Sequence, residues 1–165
     1  MGQQYLKDTE YSEKMQFIKM DLFDYLASVP TGSFDVINCF GFLYHTTRQV
    51  DFFREIARIK PKHVIIDTNV GKNYFWFGQS GLSKQPCLLL VTEDPKETRN
   101  TIDQDGVAFW PTKSFLEKMF QLINYDHHQI NYRNQEIKNW TAMRDYKKGY
   151  RISYLAHLNN RNVSS

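Results

Sequence analysis

"FDVINCFGFLYHTTRQVDFFREIARIKPKHVIIDT", residues 34–68, decides the fold. Phe34 to Phe40 is a compact apolar run with one or two polar breaks, the pattern of a strand buried on both faces. Arg48 to Lys60 predicts a helix. At 100° per residue, Val50, Phe52, Phe53, Ile56, Ala57 and Ile59 share one half of the wheel, while Asp51, Arg54, Glu55 and Arg58 share the other. Burying those six side chains contributes on the order of 10 kcal/mol gross, before chain entropy is subtracted. Lys60 suits the negative end of the helix dipole, and Pro61 disfavours helix in the residue before it. His63 to Thr68 is a second short apolar strand. Strand, helix and strand at this spacing make a βαβ unit, whose right-handed crossover leaves the two strands parallel.

Working outward, Met15 to Met20 is a short strand candidate. Asp21 follows it and can cap the helix of "DLFDYLASVP", which Pro30-Thr31-Gly32-Ser33 ends as a turn. Downstream, residues 69–110 are less regular: aromatics at Tyr74, Phe75, Trp76 and Phe77, a strand in "CLLLVTED", and an exposed loop in "PKETRNTIDQDG". Thr112 opens a helix with Phe115, Leu116, Met119, Phe120, Leu122 and Ile123 on one face. Tyr125 to Tyr132 alternates loosely, Lys147-Lys148-Gly149 turns the chain, and Tyr150 to Leu158 is a final strand. The expected division is a polar segment over 1–14, one α/β domain over 15–158 and a frayed end over 159–165.

Composition narrows the class. The 165 residues fit one domain, and 41% hydrophobic with 15% aromatic residues can build a core. No apolar run approaches the ~20 residues of a membrane span, and the polar, mixed-charge start is unlike a secretory leader. A soluble, cytoplasmic protein is therefore expected. Two cysteines, Cys39 and Cys87, in apolar runs read as buried thiols rather than a disulfide framework or a zinc pair. His127 and His128 alternate across a strand, so they cannot share one metal, and no metal site is expected. Residues 133–165 hold seven Lys/Arg against two acids. That basic end is either a solvated surface or a contact for phosphate, RNA or an acidic partner.

The segments "FDVINCFGFLYH", "VDFFREIARIKPKHVIIDT" and, upstream, "FIKMDLFDYL" resemble the middle of class I S-adenosylmethionine-dependent methyltransferases. The "GFLYH" segment is especially similar to members that modify the tRNA wobble uridine. The helix, strand, turn and strand downstream resemble the family's antiparallel tail. The resemblance implies an α/β, Rossmann-like three-layer sandwich, with a partly parallel sheet and an antiparallel C-terminal strand. It implies methyl transfer from S-adenosylmethionine to an acceptor that the sequence does not name. The family's glycine-rich turn and its ribose-binding acid have no counterpart here, so the domain reads as truncated at its N-terminus. Glycines let the backbone approach the cofactor closely. With the family's first two strands gone, Phe34–Phe40 becomes an exposed sheet edge open to three neighbours. These are the Met15 strand, a second copy in a homo-oligomer, or a separate subunit that completes the fold. A non-catalytic assembly module built on that edge is the alternative function.

The resemblance also assigns candidate residues. Asp21 would bond the adenine amino group, framed by backbone at Leu22 and Phe23, or else cap its helix. Cys39, Phe40 and Gly41 lie at the strand end where open α/β sheets bind ligands. Gly41 either admits the ligand or turns the chain. Tyr44 and His45 face that crevice. His45 is a candidate base, with a structural hydrogen bond as the other reading. Asp67 and Asn69 end the next strand and contact substrate or cap loops. Trp76 and its aromatic neighbours stack a planar substrate or fill the core.

Overall fold

The computed structural model describes residues 12–71, 84–93 and 106–159. Its elements are α1 (Leu22–Ser28), β1 (Val36–Phe40), α2 (Gln49–Ile59), β2 (His63–Asn69), β3 (Leu88–Thr92), β4 (Val107–Pro111), α3 (Lys113–Leu122), β5 (Tyr125–Gln129), α4 (Arg144–Lys148) and β6 (Arg151–Leu158). Four strands form one sheet in the order β1-β2-β6-β5. β1 and β2 are parallel, with Cys39 opposite Ile66 and Phe40 opposite Asp67. β6 enters antiparallel beside β2, and β5 is antiparallel to β6. The βαβ unit of residues 34–68 and the antiparallel C-terminal strand are thus present, and the class is Rossmann-like α/β.

α2 shows why the sequence folds this way. Phe52, Phe53, Ile56 and Ile59 are buried at helical spacing, and Lys60 closes the helix in the left-handed region at φ 56°. α1 starts at Asp21, whose Oδ1 accepts from the N–H groups of Phe23 and Asp24 at 2.8 and 3.1 Å. It ends on Arg58 of α2, which donates to the carbonyls of Val29 and Leu26. A cation there also meets the negative end of the α1 dipole. α3 starts at Thr112, whose hydroxyl caps Phe115 N–H and also ties down Cys87 and Gln85.

Register separates the two faces of the sheet. Cys39, Val64, Ile66, Tyr154 and Ala156 enter one core with Phe23 and Leu26 of α1, the α2 stripe, and Leu116 and Phe120 of α3. The helices α1 to α3 therefore share one face. The other carries Val36, Asn38, Phe40, Ile65, Asp67 and Ser153. Among the described residues, the segment 130–149 reaches that face near Asp67 and Ser153.

Three expectations are corrected. β1 is not buried on both faces: it is the sheet edge, with Val36 46% and Phe40 62% exposed. Apolar composition identifies a strand but not how many neighbours it has. Met15 to Met20 forms no strand and does not line the β1 edge; Met15, Phe17, Ile18 and Met20 are all about half exposed. The irregular stretch 69–110 contains a strand the sequence reading missed, β4, which pairs with β3 in a separate two-stranded sheet. Trp76 and the aromatics beside it lie outside the described residues. Among the described residues, no helix is long and apolar enough to cross a membrane.

Candidate active site

The carboxyl ends of β1 and β2 meet at Gly41, whose N–H donates to the Asp67 carbonyl at 3.0 Å. Gly41 has φ +69°, so it turns the chain in a conformation that L side chains rarely adopt. A β-carbon there would lie 3.4 Å from Arg151 Nη2. Asp67 is 6% exposed and sits at the centre of a polar knot. Its Oδ1 takes the Nε–H of Arg151 at 2.5 Å, and its Oδ2 takes the hydroxyls of Tyr146 and Ser153 at 2.7 and 2.5 Å. Tyr132 extends the knot by donating to Ser153 Oγ at 2.9 Å. Burial first, then the hydrogen bond to Asp67, pushes the Tyr146 hydroxyl up to about 12. Burial works against the Arg151 charge, but the bond to Asp67 and its attraction outweigh that, so the guanidinium is held more firmly protonated. Phe40, Ile65, Ile130 and this knot line a cavity of about 440 Å³.

The second cluster is built by the β3–β4 hairpin. Gln49, at the start of α2, is fully buried, and its two Nε2 hydrogens are shared among the carbonyls of Leu43, Thr46 and Phe109. That clamp fixes the turn Leu43–His45 against β4. Glu93, just past β3, closes the hairpin with its N–H on the Gly106 carbonyl at 2.7 Å. Its carboxylate meets His45 Nδ1 at 2.7 Å, with the side chains only 13% and 16% exposed. The Tyr44 ring lies tilted at 41° with its centroid 4.0 Å from that imidazole and meets Trp110 edge-on.

His45 also lines a cleft of about 470 Å³ with Asp21, Leu22, Phe23, Phe42 and Arg48. The Arg48 guanidinium lies 3.9 Å over the Phe23 ring, near Asp21. The cleft therefore joins two aromatic rings, one carboxylate and one imidazole edge.

Asp21, Leu22 and His45 line one cleft, Asp67 lines the other cavity, and Gly41 and Tyr44 lie in the turn that follows β1. Asp21 does cap its helix. Phe40 lines the cavity beside Asp67. Cys39 contributes backbone only, because its thiol is buried in the core, where desolvation pushes it up to about 12. Asn69, half-buried, pairs in register with Arg151 and accepts from Thr68 through its carbonyl. Asp67 is tied up within the protein rather than free to cap a loop. Of the basic residues near the C-terminus, Arg151 is committed to Asp67 and Arg133 donates to the Lys147 carbonyl. Sequence reasoning missed Glu93, Tyr146 and Ser153. They lie 48, 79 and 86 residues from their partners, and only the fold joins them.

Residues 2–66, less than half of the chain, match the family model described as a methyltransferase domain. No curated protein matches the chain. Among solved structures, the N-terminal domain of EvdMO1 with SAH bound aligns at TM-score 0.51 and 16% identity. That alignment covers 86% of this chain and 50% of that one. The same domain in the presence of SAH and D-fucose aligns equally well, with 52% of its chain covered. The chain spans about half the length of these structures and shares their fold. A methyltransferase-domain model thus matches the first part of the chain, and the solved structures share its fold.

Proposed function

We propose that this chain carries the adenine wall and the acceptor side of an S-adenosylmethionine-dependent methyl-transfer site. The carrying observation is the cleft in which Asp21 stands beside the Phe23 and Phe42 rings, next to the β1 tip and His45. A cleft with an aromatic ring and one carboxylate fits a purine that bears an exocyclic amine: Phe42 would pack against the base, since Arg48 already covers the Phe23 ring, and the carboxylate would accept its N–H. Asp21 uses Oδ1 for its cap, so Oδ2 would hold the amine. The backbone at Leu22 would frame the same base. Phe40 and Gly41 would floor the site at the strand tip, where open α/β sheets take ligands. Neighbours of the same fold were crystallised with SAH, which supports the choice of cofactor. When bound, the cofactor supplies an electrophilic methyl carbon; the chain supplies position, exclusion of water and a proton acceptor. The glycine-rich wall and ribose acid, missing from this sequence, would come from a further segment or subunit along the β1 edge. Asp67 and Asn69, at the neighbouring strand tip, would face the acceptor beside the Arg151 knot.

Calorimetry with SAH tests the reading. Asp21→Ser keeps a helix cap but shortens the reach, so SAH affinity falls about tenfold with the fold intact. No heat at millimolar SAH would reject a cofactor site on this chain.

A second reading, a non-catalytic assembly module, is favoured by one observation: the outer edge of β1 has no strand partner among the described residues, with Val36 and Phe40 exposed. Light scattering decides it, since a clean monomer argues against edge pairing.

A further inference from the structure

We propose that Glu93 is a positioning residue that holds the His45 proton on Nδ1 and so presents a bare Nε2 to the Asp21 cleft as a base. This deepens the methyl-transfer reading and rests on it. It also narrows the acceptor class to a nucleophile such as a hydroxyl, whose proton must leave as the new bond forms.

The geometry carries the argument. An ionised carboxylate accepts hydrogen bonds and cannot donate them, so at 2.7 Å the Nδ1 side must carry the hydrogen. That leaves the Nε2 lone pair free, and no hydrogen bond to Nε2 occurs among the described residues. Both partners are held. Glu93 is pinned by its backbone bond to Gly106, and His45 by the Gln49 clamp and the Tyr44 ring. A carboxylate behind an imidazole fixes the tautomer and steadies the imidazolium once a proton arrives. In the step itself, the acceptor oxygen forms its bond to the methyl carbon while the carbon–sulfur pair stays on sulfur. The hydroxyl proton passes to His45 Nε2, and the new imidazolium faces Glu93.

Long-range proton–nitrogen correlation spectra of the nitrogen-15-labelled full chain test the tautomer without any cofactor. A His45→Asn variant assigns the signal. At a pH where the ring is neutral, the wild type should show the proton on Nδ1 and an unprotonated Nε2. Glu93→Ala should move the proton to Nε2, the ordinary preference of imidazole in water. A wild-type ring protonated on Nε2, or a tautomer unmoved in Glu93→Ala, overturns the proposal. The wild-type spectrum decides this even where the variant does not fold. Because it is read without SAH, its outcome is independent of the calorimetry above. In protein competent for methyl transfer, Glu93→Ala should lower kcat about a hundredfold toward a hydroxyl acceptor, with KM little changed. An equal loss toward a carboxylate acceptor, which has no proton to shed, would overturn the base role.

Discussion

Asp67 shows how one side chain can dominate a rim. It is buried, yet both oxygens are satisfied, by one guanidinium and two hydroxyls. Removing it strands a cation and two hydroxyls at once. Asp67→Ala should cost about 3 kcal/mol, toward the low end for a broken buried pair because Arg151 keeps some solvent. Chemical denaturation measures it, and a loss under about 1 kcal/mol would mean the knot adds little. Much of this scale was legible beforehand. Asp21 before an apolar-periodic run announces a cap, and Gly41 after a strand announces either a turn or a ligand approach. The partners of Asp67 and His45 were not legible. A hydrogen bond across 48 or 79 residues leaves no trace in local spacing, and no motif joins Glu93 to His45.

At the scale of elements, pattern reading performed well for the helix with an apolar stripe and for the central strand. The α2 stripe and the β2 run appear almost at their predicted bounds. It failed where burial depends on neighbours. β1 has the composition of a central strand but occupies an edge, and Met15 to Met20 has strand-like residues with no ladder to join. β4 ends in Pro111 and pairs outside the main sheet, so its run carried no alternation against the core. The bare β1 edge makes a direct prediction. Phe40→Lys, at a site already 62% exposed, should change stability by no more than about 0.5 kcal/mol. It should also abolish any self-association seen by analytical ultracentrifugation, because an edge lysine blocks strand pairing. Association that persists in the variant would place the contact elsewhere.

For the whole molecule, one core ties the helices to the sheet, and its tyrosines, together with Tyr146 of the Asp67 knot, link stability to alkaline pH. Burial pushes Tyr125 up to about 12 and Tyr146 equally far, and Tyr154 is pushed higher still, by burial and then by its bond to Glu117. A folded-state value above the unfolded one means that unfolding releases protons. Stability should therefore hold below about pH 10, the ordinary tyrosine value, and fall as pH climbs through about 12. Tyrosinate absorbance followed alongside circular dichroism checks this: the buried rings should ionise with unfolding and not before it. The overall class was readable because a βαβ unit and an antiparallel tail have few ways to assemble. The cofactor half-site is the claim on which the functional account stands. Amide spectra of the labelled chain titrated with SAH test it most directly. The account predicts shifts concentrated at Asp21 to Phe23 and at Gly41 to His45. Spectra unchanged at millimolar SAH, or shifts gathered away from those residues, would contradict it.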